Sequence, residues 1–438
     1  MPLRLIVCFF LIATAGLAAA AEKKPNVIVF LSDDVGYGEY GFQGNKEIPT
    51  PNIDSIAANG VRFTSGYVAA TYCSPCRAGL MTGVYPTRFG HEFNGGGAKG
   101  GKGEEFGLTV EKKTIADRLK ALGYSTAAVG KWHLGNGPKF IATARGFDEF
   151  YGTVANTPFL NPPNFIDTRI SPNVTPVKDD TFYTTDAYAT RAVDWIGKQE
   201  GKPFFLYLPF NAQHAPLQAT EKYLKRFPDI KDEKRKIFAA MMSAKDDAVG
   251  AVLAQVKKMG QEDNTMIFFF SDNGGPTAST TSKNGPLRGF KMTTLEGGTR
   301  VPFCMQWKGH VSPGTTYDYP IQNLDILPTA VIAAGGKVEA DWKLDGVDLM
   351  PYLTGKNAAP PHEVLYWRFG DQWAIRKGDW KLCAIKIDGV KNVMLYNLKD
   401  DLGEAKDLTA KEPEKAKELK ALWDKWNAEQ AKPSWQPS

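Results

Sequence analysis

Short apolar runs that stop abruptly at polar clusters recur along this chain. The first, Asn26 to Ser32, ends at Asp33-Asp34, and others span Thr126 to Val129, Pro203 to Phe210, Asn264 to Phe270 and Val301 to Trp307. Apolarity that is continuous and not alternating predicts strands buried on both faces, as in a parallel sheet. Amphipathic segments lie between them. Thr50 opens a helix that runs to about Asn59 and closes at Gly60. Glu111 to Leu122 sets Ile115, Leu119 and Leu122 on one face and stops at Gly123. Two further helices are predicted, from Thr185 to about Lys198 and from Lys234 to Met259. Strands alternating with helices predict an α/β fold, a large and mostly parallel sheet sandwiched by helices.

The pattern changes near residue 350. Tyr366–Trp367, Trp373–Arg376, Trp380–Ile387 and Val390–Tyr396 read as short strands, two of them joined across Asp388-Gly389 in hairpin fashion. Glu412 to Gln430 is a closing helix with Leu419, Leu422, Trp423 and Trp426 inward. The expectation is a main domain over residues 22–349 and a small C-terminal antiparallel sheet plus helix over 350–438. Two segments lack a period. Gly90 to Gly107, with His91, Lys99 and Lys102, reads as a mobile surface loop. Asn156 to Asp180 reads as an excursion loop, and Asn173-Val174-Thr175 within it is a glycosylation sequon.

Residues 1–21 have the form of a secretory signal peptide. Arg4 gives the positive start, Leu5 to Ala15 the apolar region, and Ala18 to Ala21 offer cleavage sites. Export to the periplasm or beyond is expected, without stable membrane insertion, since no later stretch is long and apolar enough to span a bilayer. Without this leader 52 basic side chains face 48 acidic ones, too even a balance for a nucleic-acid partner and mildly suited to an anionic substrate. Cys73, Cys76, Cys304 and Cys383 would remain, too few for a disulfide framework.

Chemistry concentrates where the apolar runs end. Asp33-Asp34, Lys131 and His133, His214, and Asp272-Asn273 each follow a strand, and the carboxyl ends of parallel strands converge on one edge. Val35-Gly36-Tyr37-Gly38 allows the turn that would bring both acids to one site. Three carboxylates and an amide make a hard, oxygen-rich cation site suited to Ca²⁺ or Mg²⁺. Arg77, Lys131, His133, His214 and Lys291 add positive charge. A cation site beside anion-binding groups points to a charged tetrahedral substrate group such as sulfate or phosphate. Thr71 to Gly83 contains Cys73-Ser74-Pro75-Cys76-Arg77 and allows three readings. They are a buried thiol in a turn, a C-x-x-C redox pair, and a C-x-P-x-R modification motif.

The last of these carries a resemblance. Cys73-Ser74-Pro75-Cys76-Arg77 with Leu80, Thr82 and Gly83 resembles the first signature of the formylglycine-dependent sulfatase family, and Gly130-Lys131-Trp132-His133-Leu134-Gly135 the second. The Asp33-Asp34 opening, Ser271-Asp272-Asn273-Gly274 and the Glu296-Gly297-Gly298…Arg300…Pro302 block are similar too, in family order from Lys24 to the C-terminal helix. The departure is Cys76, where the family more often has Ser or Thr, and it offers Cys73 a disulfide partner. The resemblance implies an alkaline-phosphatase-like fold and Cys73 oxidised to formylglycine by a formylglycine-generating or anaerobic maturating enzyme. One hydroxyl of the hydrated aldehyde attacks sulfur and the alcohol leaves; deprotonation of the other then expels sulfate. It further implies Ca²⁺ (or Mg²⁺) on Asp33, Asp34, Asp272, Asn273 and modified Cys73, with Arg77 and Lys131 steadying the gem-diol. His133 would lie beside the gem-diol, and His214 and Lys291 toward the leaving oxygen. The substrate would be a sulfated small molecule or glycan. A phosphatase or phosphodiesterase of the same superfamily would usually carry Thr or Ser as nucleophile and zinc ligands. A thiol oxidoreductase leaves His214, Asp272 and Lys291 without a role, and a non-catalytic carbohydrate-binding protein follows if Cys73 is never modified.

Overall fold

The expected strands line up side by side. In spatial order the nine-stranded sheet runs Thr315–Tyr317, Val61–Phe63, Phe303–Gln306, Thr265–Ser271, Asn26–Ser32, Phe204–Pro209, Ser125–Lys131, Glu149–Thr153 and Phe165–Asp167. The five strands from Thr265–Ser271 to Glu149–Thr153 are parallel. Phe303–Gln306 and Phe165–Asp167 run antiparallel to their inner neighbours. The computed structural model describes residues 23–95, 106–135, 137–387 and 389–435. The expected leader at 1–21, Lys99 and Lys102 in the Gly-rich stretch, and Asp388 at the hairpin lie outside them.

The continuous apolar runs follow from burial on both faces. Val27, Val29 and Leu31 face one core, shared with Leu80, Leu119, Phe268 and Ile326. Ile28 and Phe30 face the other, shared with Ile53, Ile196, Phe238 and Phe269. Helices Cys73–Thr82, Ile115–Ala121 and Ile326–Ala333 cover the first face, and Pro51–Ala58, Thr184–Gly197 and Glu233–Lys258 the second.

Several boundaries differ from expectation for local reasons. The helix expected from Glu111 begins at Ile115, because Thr114 accepts from the Asp117 N–H while the Asp117 side chain accepts from Thr114, a reciprocal cap. The helix expected at Thr185 already includes Thr184, with Tyr183 before it. Helix Pro51–Ala58 is capped from outside: Asp246 accepts from the Asn52 and Ile53 N–H groups, and Thr50 makes no cap bond. The excursion loop holds a strand after all, because Phe165–Asp167 pairs with Tyr151–Thr153 at the sheet edge. His91 is not on a surface loop: it is buried, as are Glu92 and Asn94.

The second sheet is antiparallel in the order Val364–Phe369, Gln372–Lys377, Trp380–Ile387 and Val390–Asn397. One face packs Trp373, Ile375, Leu382 and Leu395 on helix Pro413–Asn427 through Leu419, Trp423 and Trp426. The opposite face packs Leu365, Trp367 and Tyr396 on Tyr67 and Leu295. Fully buried Lys381 of this sheet pairs with Glu296 at 2.8 Å and Glu404 at 2.9 Å, while Arg300 reaches Glu296 at 3.3 Å. No described helix is long and apolar enough to cross a membrane.

Candidate active site

Four neighbouring parallel strands deliver the polar groups to one edge. Thr265–Ser271 leads to Asp272 and Asn273, Asn26–Ser32 to Asp33 and Asp34, and Phe204–Pro209 to His214. Ser125–Lys131 ends on Lys131 itself, with His133 just beyond. The turn that brings both acids inward falls at Asp34, whose φ is +63°, and not in the glycines after it. Gly130 has its own reason: a Cβ there would lie 1.9 Å from the Pro209 carbonyl oxygen.

Cys73 opens helix Cys73–Thr82. Its sulfur lies 3.6 Å from Asp33 Oδ1, 3.9 Å from Asp34 Oδ1 and 3.2 Å from Lys291 Nζ. One turn further, the Arg77 guanidinium donates to Asp272 Oδ2 through Nη2 at 2.8 Å and Nε at 3.2 Å. It also donates to Asp33 Oδ2 at 3.3 Å and to the Lys131 carbonyl at 2.6 Å. Lys131 Nζ pairs with Asp33, and Lys291 Nζ with Asp34 Oδ1 at 2.7 Å. Three carboxylates thus meet three cations in a region shut from solvent, and each charge has a partner.

His214 Nδ1 donates to the Ala215 carbonyl at 2.6 Å, so Nε2, 3.6 Å from Asp34 Oδ2, carries a proton only in the imidazolium. Asp33, Asp34, Cys73 and His214 offer ligand atoms all within 4.8 Å of one another. Asn273 Nδ2 donates to Asp34 Oδ1 at 2.8 Å, which leaves Asn273 Oδ1 buried with no partner. An orphaned acceptor beside clustered carboxylates is what a bound cation would satisfy, so the donor set fits a hard divalent metal. Asp272 stands beside that cluster and accepts from the Asp34 N–H at 3.2 Å.

Charge and burial pull these groups in different directions. Burial alone would raise the Asp33 carboxyl, but the Lys131 and Arg77 cations outweigh it and hold Asp33 well below the usual carboxylate range. Burial and the Asp33 charge push Asp272 up to about 6 despite the Arg77 grip. Burial raises the Cys73 thiol well above its ordinary value, with Asp272 adding to the effect, so the unmodified thiol is a poor nucleophile here. Burial also lowers His133 strongly, helped by Lys131 and Arg77; this imidazole is neutral, and its Nδ1 is buried without a partner.

Cys76 and Cys73 are both free thiols, and Cys76 Sγ instead accepts from Asn323 Nδ2 at 3.4 Å. Sequence reasoning missed the support around Ser74. Ser74 Oγ donates to the His133 carbonyl and meets His91 Nε2, both at 2.7 Å, while Asn94 Oδ1 accepts the Ser74 N–H at 2.9 Å. Trp435 packs edge-on against His91 at 4.8 Å and donates to the Phe93 carbonyl at 2.7 Å. His91 in a glycine-rich stretch gave no periodic signal for this burial.

A mostly parallel α/β sheet with carboxylates and cations at its strand ends, and a buried thiol at the helix start beside them, defines a hydrolase of the alkaline-phosphatase-like architecture. Residues 25–336 match the model of the Sulfatase family, and residues 290–432 that of N-sulphoglucosamine sulphohydrolase, C-terminal. The chain belongs to the sulfatase family and is a sulfuric ester hydrolase. It is 33% identical over 390 residues to the N-acetylgalactosamine-6-sulfatase of Mus musculus, covering 83% of this chain and 73% of that one. To the arylsulfatase A of Bos taurus it is 34% identical over 397 residues, 84% of this chain and 76% of the other. Among solved structures, Ps i-CgsB in complex with k-i-k-neocarrahexaose superposes with a TM-score of 0.86 at 35% identity, over 95% of each chain. The PsFucS1 sulfatase from Pseudoalteromonas sp. superposes with a TM-score of 0.82 at 26% identity, over 93% of this chain and 90% of that one.

Proposed function

We propose that the protein hydrolyses sulfate esters on sugars or glycans, with Cys73 acting after oxidation to formylglycine beside a Ca²⁺ ion (or Mg²⁺). The observation that carries this reading is the Cys73 sulfur at a helix start, ringed by Asp33, Asp34 and Lys291 within 3.9 Å. Formylglycine supplies a hydrated aldehyde, one hydroxyl to attack sulfur and a second to release it. Asp33, Asp34, Asp272 and Asn273 would hold the cation, which polarises sulfate oxygens. The three side-chain cations already balance the three carboxylates, so the divalent ion leaves the pocket positive toward a sulfate ester.

Arg77 and Lys131, fixed by Asp272 and Asp33, hold the nucleophile's side of the pocket, and Lys291 neutralises the sulfate. Neutral His133, with a free buried nitrogen, takes the proton when sulfate is released. His214, pulled down by burial but favoured as the imidazolium by the adjacent Asp34, gives its Nε2 proton to the leaving alcohol. Lys291 lies between exposed Phe290 and Met292, apolar surfaces on which the ring of a sugar substrate can rest. A relative named N-acetylgalactosamine-6-sulfatase and a similar structure in complex with k-i-k-neocarrahexaose support a sugar as the substrate class. Maturation would need a formylglycine-generating or anaerobic maturating enzyme, and the leader implies export.

The test is inorganic sulfate release from a panel of sulfated mono- and oligosaccharides by the matured, calcium-loaded protein. Turnover of at least one is expected. Zinc-dependent release of phosphate from the matching phosphate esters, with no sulfate released, would instead favour a phosphatase.

A further inference from the structure

One buried cation has no place in the chemistry above. Lys245 lies inside helix Glu233–Lys258 with no exposed surface. Lysine is almost never buried this fully unless it is paired. Among the described residues no carboxylate lies within ion-pair distance of its Nζ. The ammonium donates instead to Ser32 Oγ at 2.8 Å, to Gln213 Oε1 and toward the Ala212 carbonyl at 3.5 Å. The Tyr40 ring centroid is 5.2 Å away. Three oxygens match the three N–H bonds of an ammonium group.

These partners belong to two different turns. Ser32 immediately precedes Asp33, and its hydroxyl also meets Tyr40 Oη at 2.7 Å. Ala212 and Gln213 immediately precede His214. The two turns are already stitched through backbone: the Asp33 N–H donates to the Ala212 carbonyl at 3.2 Å, and the Gln213 N–H to the Asp33 carbonyl at 2.8 Å.

We propose that Lys245 is a positioning residue that fixes the turn bearing Asp33 and Asp34 against the turn bearing His214, and so aligns the cation-holding carboxylates with the histidine that serves the leaving group. The proposal rests on the roles given above to Asp33, Asp34 and His214. Burial works against the ammonium and pulls it well below the usual lysine range, while Asp33, Glu39 and Asp246 act in its favour. Its removal strands one buried acceptor, Gln213 Oε1, at the modest cost of one unsatisfied neutral oxygen, while Ser32 Oγ keeps Tyr40 and the Ala212 carbonyl keeps the Asp33 N–H. Its partners here are neutral oxygens, so removing it strands no opposite charge. What it contributes is orientation, as the outer partners of metal ligands do.

The experiment compares matured wild-type protein with Lys245→Met, Gln213→Leu and Ser32→Ala. The measurements are turnover of a sugar sulfate and of nitrophenyl sulfate, calcium affinity by calorimetry, and the unfolding midpoint. Lys245→Met should lower the midpoint only modestly yet bind calcium about 10- to 100-fold more weakly. It should also lose about tenfold more activity on the sugar sulfate than on the nitrophenyl ester. Gln213→Leu cuts only the His214 arm and should reproduce the leaving-group effect with calcium affinity held. Ser32→Ala cuts the Asp33 arm, together with the Tyr40 contact, and should reproduce the calcium effect. Equal losses on both esters with unchanged calcium affinity in Lys245→Met would overturn the proposal. If Lys245→Met does not fold, the absence of either single-arm effect overturns it. His214→Ala separates the two failures: equal losses on both esters in that variant defeat the role of His214 itself, whereas discrimination there without any in Lys245→Met defeats only Lys245.

Discussion

Lys291 Nζ, 218 residues beyond Cys73 in the chain, sits 3.2 Å from Cys73 Sγ and 2.7 Å from Asp34 Oδ1 and so bridges the thiol to a carboxylate. Burial and neighbouring carboxylates hold that thiol protonated, so the unmodified side chain is unsuited to attack. Protein made with a maturating enzyme should therefore carry formylglycine at position 73, seen by mass spectrometry of the peptide. An active preparation with Cys73 wholly unmodified would sink the mechanism. Cys76→Ser should keep activity or raise the modified fraction, because Cys76 faces Asn323 and not the site.

Asn273 Oδ1 is the orphaned acceptor beside the carboxylates. Removing divalent ions should abolish turnover, and Ca²⁺, or less effectively Mg²⁺, should restore it. Asn273→Leu removes one neutral oxygen ligand and should weaken calcium binding at least tenfold, about 1.4 kcal/mol. Asp272→Ala should behave like the stripped protein, since a three-carboxylate site loses much of its charge with one gone. Calorimetry on metal-free protein checks both. Stoichiometric zinc in the purified enzyme would point to the phosphatase reading.

The strand-end groups were legible because long apolar runs leave few places for a carboxylate or lysine except the edge of a parallel sheet. Asp33, Lys131, His214 and Asp272 come from four such runs, and the sheet brings them together in neighbouring strands. The missed residues act through contacts that no local pattern encodes. His91 follows a glycine-closed turn, yet Trp435 and Phe106 enclose it from far along the chain. Lys245 looks like any helix lysine until the sheet is laid beneath it. The left-handed turn at Asp34 was assigned to the neighbouring glycines, since φ above zero favours glycine and only tertiary contacts hold an aspartate there.

His91 makes stability depend on pH in a definite direction. Burial lowers its imidazole to about 3, whereas in the unfolded chain it titrates near 6.5. Between those values the unfolded state holds one more proton, so stability from this residue is complete above about pH 6.5 and falls as the solution is acidified toward 3. The slope is about 1.4 kcal/mol per pH unit. His91→Gln, which can still meet Ser74 Oγ, should remove about 2–3 kcal/mol of the stability difference between pH 4.5 and 7.5. Denaturant unfolding at the two pH values reads it. A variant with the wild-type pH dependence would show that His91 takes up its proton in the folded state.

The two site histidines should divide labour by leaving group. His214 Nε2 lies 3.6 Å from Asp34 Oδ2 on a partly exposed ring, while His133 is buried and neutral, with Nδ1 free. A sugar alcohol leaves as a strongly basic alkoxide unless protonated, whereas a nitrophenolate, with a pKa of roughly 7, hardly needs a proton; such acid help is worth ~10²–10⁴-fold. His214→Ala should therefore damage hydrolysis of a sugar sulfate far more than that of nitrophenyl sulfate. His133→Ala should slow sulfate release equally for both esters, and the sulfated enzyme should accumulate and be visible by mass. If both histidines only position sulfate, each variant loses the same factor on both substrates. Rates of the two variants on one good and one poor leaving group decide between these, and equal losses would defeat the assignment.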